Sequence, residues 1–141
     1  MTASDRFIVI VGCGRLGAYL ANRLSRDGNG VVVIDAEEQA FAALSPEYSG
    51  FRVEGDATEL AVLREAKADK ADVVVAATRD DNVNLMVAQV AKVEFGVARV
   101  LARVFEPRRE AVCRKLGVET ICPTAMSAEL FLKAIAREPA P

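Results

Sequence analysis

The chain contains no histidine. That absence removes the commonest general acid/base and the commonest metal ligand, and it weighs against an enzyme. Cysteine is scarce: Cys13, Cys113 and Cys122 are odd in number and widely spaced, which gives neither a disulfide framework nor a zinc pattern, so they read as reduced thiols. Charge of one sign is lacking too. With 18 basic and 20 acidic residues the net charge is -2, and nothing in the overall balance attracts nucleic acid. Although 52% of the residues are hydrophobic, no apolar run approaches the ~20 residues that span a bilayer. The opening MTASDRFIVIVG has too short an apolar stretch for a signal peptide, because a glycine loop follows at once. A soluble, cytoplasmic domain without membrane insertion is expected. No linker or low-complexity segment divides the chain, apart from a terminal EPAP expected to fray.

What is present is regular. The 141 residues fit one domain, 1–141, large enough to bury a true core. Apolar β-branched runs alternate with helix-period segments throughout, the signature of βαβ units around a parallel sheet. Six strands are expected: Arg6 to Val11, Gly30 to Asp35, Phe51 to Glu54, Ala71 to Ala77, Ala98 to Val104, and Glu119 to Cys122. Their continuous character (VVVI, VVVAA) suits strands covered on both faces. Helices are expected at about Arg15 to Asp27, Glu37 to Leu44, Glu59 to Ala66, Asp81 to Phe95, Pro107 to Leu116 and Thr124 to Arg137. Right-handed crossovers and the position of the glycine loop predict a doubly wound Rossmann α/β sheet of order 3-2-1-4-5-6, with helices on both faces.

Gly12-Cys13-Gly14-Arg15-Leu16-Gly17 matches G-x-G-x-x-G between a strand and a helix, the context the motif requires. Gly12 allows the tight turn, Gly14 lets backbone approach a pyrophosphate, and Gly17 lets the helix pack close to the sheet. The helix N-terminus supplies free N–H groups and a positive dipole end. A plain strand-to-helix turn needs one glycine, seldom three at this spacing. Asp35 lies 18 residues beyond Gly17 at the end of strand 2, where a carboxylate accepts from both hydroxyls of an adenosine ribose. Ala36, Glu37 and Glu38 follow with no arginine nearby, so NADP is disfavoured. The reading is an adenine nucleotide, NAD(H) or ADP/ATP.

Other polar residues cluster at strand ends. Asp56 and Thr58 follow strand 3 on the adenine side, and either also serves as a cap for the third helix. Thr78 follows strand 4 at the topological switch point, as a phosphate or ribose neighbour. Asp80 or Asp81 is expected to cap the fourth helix, and Asn82 suits either role. Arg15 within the loop, and Arg103 near the end of strand 5, are candidates for a terminal phosphate or for surface ion pairs.

Beyond these readings the chain resembles the regulator-of-K+-conductance N-terminal domain, also called TrkA-N or KTN, of bacterial potassium channels and transporters. The carriers are VGCGRLG, VIDAEEQ, VEGDATE, VVVAATRDDNVNL, ARVFEP and KLGVETICPTAMSAELF, spread over nearly the whole length. The resemblance implies a cytoplasmic nucleotide sensor that forms homodimers, and often octameric rings, on an integral-membrane potassium pore, and switches between ligands. It implies contacts from Gly12, Arg15, Leu16, Asp35, Asp56, Ala57, Thr78 and Arg103. In two respects the chain departs. Pro123 is followed by Thr124 and Ala125 rather than an acidic residue, which leaves a metal-assisted ATP site unsupported; and the chain stops soon after the last helix, without the C-terminal lobe that often follows.

Met126, Leu130, Phe131, Ala134 and Ile135 stand at helical spacing in that last helix, to pack on the domain itself or to cross onto a partner. The family precedent favours the partner. The expected function is a regulatory subunit with no catalytic residue. The alternative is an NAD-dependent oxidoreductase domain, but such an enzyme needs a proton donor, and the only tyrosines, Tyr19 and Tyr48, lie away from the ends of strands 4 to 6.

Overall fold

Runs of valine and isoleucine set the middle of the molecule, since β-branched side chains pack well on a pleated surface. A computed structural model describes residues 5–139. In it β1 (Phe7–Val11), β2 (Gly30–Asp35), β3 (Phe51–Glu54), β4 (Val73–Ala76), β5 (Arg99–Arg103) and β6 (Glu119–Ile121) form one sheet. Every pairing is parallel and the order is 3-2-1-4-5-6, as expected. The order reverses between β1 and β4, and this creates the crevice at their carboxyl ends.

Alternation along the strands divides the core into two layers. On one face Ile8, Ile10, Val31 and Val33 pack against Ala18 and Ala21 of α1 (Arg15–Arg26) and against Phe41. On the other, Val9, Val11, Ile34 and Val74 meet Leu63 of α2 (Leu60–Glu65) and Val87 and Ala88 of α3 (Asp81–Gln89). Each large side chain removed from water here contributes about 1.5–3 kcal/mol. In α1 the small residues Gly17, Ala21 and Ser25 follow one another at i+4, so the helix axis lies close to the sheet. Arg23 and Arg26 in its last turn complement the dipole, and Gly28 at φ +95° turns the chain out.

Several expected helices are shorter than the apolar period implied. Glu38–Ala43 is a 3-10 segment that inserts one aromatic, Phe41, and never reaches the length at which an α-helix sustains itself. The third helix is Leu60–Glu65, after which Lys67 in the left-handed region starts a 3-10 turn over Ala68–Lys70; strand 4 therefore begins later than Ala71. Beyond Gln89, α3 continues as a π-turn over Val90–Glu94, closed by Gly96 at φ +63°. A 3-10 turn at Pro107–Arg109 precedes α4 (Glu110–Lys115).

The last helix, α5 (Pro123–Ala136), has no buried residue. Met126, Leu130, Phe131 and Ile135 are each more than half exposed, so the helix does not pack on its own domain. The sheet beside it is also incompletely covered. Leu101 of β5 is only partly buried, and Ile121 of β6, which by register stands on the same face, is 45% exposed. Among the described residues no helix is long and apolar enough to cross a membrane. The end of the EPAP tail lies outside the described residues.

Candidate functional site

The three glycines of the loop have different reasons to be glycine. Gly12 has φ +103°, its N–H donates to the Ile34 carbonyl at 2.7 Å, and a Cβ there would meet the Ala77 backbone at 2.9 Å. At Gly17 a Cβ would lie 1.7 Å from the Gly12 carbonyl oxygen, so the loop closes on the helix only without a side chain. Both are demanded by the chain itself. Gly14 is not: its φ of -77° suits any residue, and a Cβ would meet nothing within 4 Å. It borders open space at the start of α1. That helix has no side-chain cap and no acidic residue in its first turn, which leaves its N–H groups and positive dipole end free for an anion.

Asp35 is tied to this loop directly. One carboxylate oxygen accepts from the Cys13 N–H and the other from the Glu37 N–H, both at 2.8 Å. A sugar hydroxyl would add to these bonds through the remaining lone pairs. The Cys13 thiol beneath the loop is buried, and desolvation, with the Asp35 charge second, pushes its pKa up. The Asp35 carbonyl also accepts from Gly55, which brings the end of β3 alongside. There Asp56 is exposed and folds back on Thr58, accepting from its hydroxyl at 2.7 Å and its N–H at 2.9 Å. These bonds hold the Asp56 carboxyl below its ordinary pKa. Neither residue caps α2, whose N-cap is Glu59 without a side-chain bond; the short turn from Asp56 to Glu59 intervenes. Ala57 is buried beneath that turn.

On the other side of the switch point, Thr78 stands against Gly12: the Cβ that Gly12 lacks would come 3.0 Å from its nitrogen. Both Thr78 donors turn inward to Asn84, a residue with no exposed surface whose role the sequence reading missed. Its only signal was a polar residue on the apolar face of a helix. Asp80 caps α3, accepting from Asn82 and Val83. Asp81 does not cap; its two oxygens accept from the Phe105 N–H at 2.7 Å and the Glu106 N–H at 3.2 Å. Asn82 accepts from Arg109 at 3.0 Å.

Arg103 is half-buried with its guanidinium 4.2 Å from the centre of the Phe105 ring, and its Nε is buried without a hydrogen-bond partner. An unsatisfied guanidinium N–H is a group that an anion would satisfy. Arg15 is exposed beside the loop, and Leu16 half-exposed. A cleft of about 370 Å³ opens further along the strand ends, lined by Arg79, Asp81, Asn82, Phe105 and Arg109. The structure therefore joins Gly12, Gly14, Gly17, Asp35 and Thr78 in one contiguous set. Asp56 and Ala57 lie at its β3 edge, and Arg103 on the β5 side. No group of three metal-ligating side chains occurs among the described residues.

The fold and this loop define a doubly wound Rossmann-type domain with a glycine-rich turn and an uncapped helix start at its switch point. More narrowly, the chain belongs to the TrkA-N domain family, whose model matches residues 8–123. It is 38% identical over 128 residues to the Trk system potassium uptake protein TrkA of Streptomyces coelicolor, covering 91% of this chain and 57% of that protein. The chain thus spans little more than half the length of that relative. Among solved structures, GsuK bound to ADP superposes with a TM-score of 0.79 at 26% identity, over 96% of this chain and 35% of the other. The GsuK channel bound to NAD gives 0.76 at 26% identity, over 90% and 22%.

Proposed function

We propose that this chain is the nucleotide-sensing domain of a regulator of potassium uptake or conductance. It takes an adenine nucleotide, NAD(H) or ADP/ATP, in the cradle of Gly12, Gly14, Arg15, Leu16, Gly17, Asp35, Asp56, Ala57, Thr78 and Arg103. The observation that carries the reading is Gly14, the one loop glycine that neither backbone angle nor neighbouring atoms require. The potassium uptake relative and the ADP- and NAD-bound GsuK structures supply the ligand class and the transport context. A sensor converts binding into geometry only if its two states differ in affinity for the ligand. A carboxylate at the end of β2, Asp35, would accept from ribose hydroxyls and repel a 2′-phosphate, which disfavours NADP.

The partner is a second copy of this chain, and larger rings built from such dimers would sit on the cytoplasmic side of an integral-membrane potassium channel or transporter. The apolar face of α5, bare of contacts on its own domain, and the partly covered face bearing Leu101 and Ile121 are complementary in character. Exchange of the two helices between copies would cover both.

Oxidoreductase chemistry is poorly served. The Tyr48 hydroxyl lies within hydrogen-bond distance of the carbonyls of Phe51 (2.7 Å) and Val31 (3.1 Å), and burial pushes its pKa up, away from a working proton donor. Mass spectrometry of small molecules released from the purified protein, with calorimetry of NAD+, NADH, ADP and ATP, tests the ligand class. Absence of binding to all four rejects it. Light scattering of Phe131→Glu tests the dimer: a monomer is expected, and an unchanged mass rejects the role of α5.

A further inference from the structure

We infer that the chain carries a second ligand site, at the far end of α1 from the glycine loop, that takes an α-amino acid as its zwitterion.

The site is a cleft of about 390 Å³ between α1 and the segment leading into β3, lined by Tyr19, Arg23, Arg26, Ser45, Glu47 and Tyr48. Its volume is that of a small-molecule site. At 1.5 Å of rise per residue Arg26 stands about 16 Å along the helix from Arg15, so the cleft is separate from the nucleotide cradle. Residues 44–50, which form its other wall, contain no helix or strand, yet side chains of α1 fix them. Asn22 donates its amide to the Ala43 carbonyl at 3.3 Å and accepts from the Ser45 N–H at 2.8 Å. Ser25 accepts from the Ser49 N–H at 3.1 Å and meets the Ser49 hydroxyl at 3.0 Å. The Tyr48 hydroxyl is seated at the carbonyls of Val31 and Phe51, and Gly50 leaves room for it, since a Cβ there would lie 2.5 Å from its oxygen. The concavity is therefore formed before any ligand arrives.

The charges of the cleft decide what fits. Arg23 is engaged with Asp27, one turn on, at 3.2 Å. Arg26 and Glu47 carry opposite charges and line the same cleft, yet neither has an ion-pair partner within 4.0 Å among the described residues. The Ser45 hydroxyl oxygen accepts from the Glu47 N–H at 3.1 Å, which fixes the backbone from which that carboxylate projects. A simple anion would satisfy Arg26 and be repelled by Glu47, and a simple amine would do the reverse. A zwitterion pairs with both, and its carboxylate matches the fork of a guanidinium. The rings of Tyr19 and Tyr48 supply apolar surface for the side chain of the ligand.

The probe is phenylalanine, with phenylpropionate, which lacks the ammonium, and phenethylamine, which lacks the carboxylate, as its two halves. Binding is followed by amide NMR shifts. Phenylalanine is expected to shift residues 19–26 and 45–48, to leave 12–17 unmoved, and to bind at least ~10-fold more tightly than either half, because each charged end adds a charge-assisted pairing. Arg26→Gln should remove the advantage over phenethylamine, and Glu47→Gln the advantage over phenylpropionate. Both side chains are exposed, and thermal melts establish that the variants are folded. The absence of shifts in the two segments at millimolar phenylalanine overturns the inference. So do shifts confined to the glycine turn, halves that bind as tightly as the whole, or an undiminished preference in either variant. Nucleotide binding, measured separately by calorimetry, stands or falls independently of these outcomes.

Discussion

Substituting Gly14 by alanine separates a glycine kept for a ligand from a glycine kept for the fold. At Gly14 the backbone is in an ordinary extended conformation and the added methyl has no neighbour within 4 Å. The unfolded chain loses entropy, worth about 0.4–1 kcal/mol in favour of the folded state, offset by the poorer fit of alanine at an N-cap. The ligand-free protein should therefore keep its Tm to within about 3 °C. Binding should respond differently, because the methyl occupies the space through which a phosphate reaches the free N–H groups of α1. Loss of two charge-assisted hydrogen bonds at about 1.5–3 kcal/mol each corresponds to at least ~100-fold in Kd for NAD(H) or ADP. The control is Gly17→Ala, whose methyl would sit 1.7 Å from the Gly12 carbonyl oxygen and 2.8 Å from its carbon. Rigid backbone must give way there, at or above the top of the ~1–3 kcal/mol range for overpacking, or roughly 10 °C in Tm. Thermal melts without nucleotide and calorimetry with it measure both. The reasoning is refuted if Gly14→Ala destabilises like Gly17→Ala, or if it binds nucleotide as wild type does.

Asp35→Ala should lose nucleotide affinity and also stability, by about 1–3 kcal/mol, because the Cys13 N–H is left without its acceptor; a ligand-free melt identical to wild type would contradict this. Asp81→Ala should cost more than Asp80→Ala in urea titrations, since the first strands two N–H groups of the β5 loop while the second removes a helix cap worth ~1 kcal/mol. Burial raises the pKa of Tyr48 in the folded state above its unfolded value of about 10. Its contribution is therefore complete below pH ~10 and is lost as the pH rises beyond it, so wild type should lose more stability than Tyr48→Phe between pH 9 and pH 11. All three cysteines are buried. Ellman's reagent should react with them only as fast as the native protein opens, and a rapid phase equal to one thiol would contradict that burial.

The sheet and its order were legible because each strand is a dense β-branched run and the glycine loop marks the crossover. Helix types were less so. Segments such as Glu38–Ala43 carry a helical period but bury only Phe41, and the period does not say whether a turn closes at i+3 or i+4. The glycine loop and Asp35 were legible because their spacing encodes one backbone path. Thr78 follows β4 at the switch point, yet nothing in its own segment signals that its donors turn inward, since that depends on Asn84 six residues on. Arg103 was expected at the cleft, and its packing on Phe105 could not be read from residues two apart on a strand end.

The polar residues of α3 explain why the loops at the strand ends hold their shape without regular secondary structure. Asp81 and Asn84 stand three apart, on one face of the helix. Asp81 accepts the Phe105 and Glu106 N–H groups, and Asn84 both serves the Thr78 backbone and donates to the Arg103 carbonyl. One helical turn therefore satisfies backbone groups of the loops after β4 and β5, which sheet pairing leaves open. The fastening extends further: Val104 donates to the Ile121 carbonyl at 3.0 Å, and Cys122, one residue before α5, donates its thiol to the Phe105 carbonyl at 3.9 Å. A continuous set of contacts thus runs from Thr78, against the glycine turn, to the base of the exposed helix. Substitution of Asn84 by leucine, alike in branched outline but bulkier and without polar atoms, breaks that set at its most buried link. It leaves two carbonyls and an N–H unpaired, which predicts a loss of several kcal/mol. Hydrogen exchange should locate the loosening at residues 78–80 and 103–106, with β1 and β2 still protected. Uniform loss of protection across the sheet would show that Asn84 supports the whole core rather than these two loops.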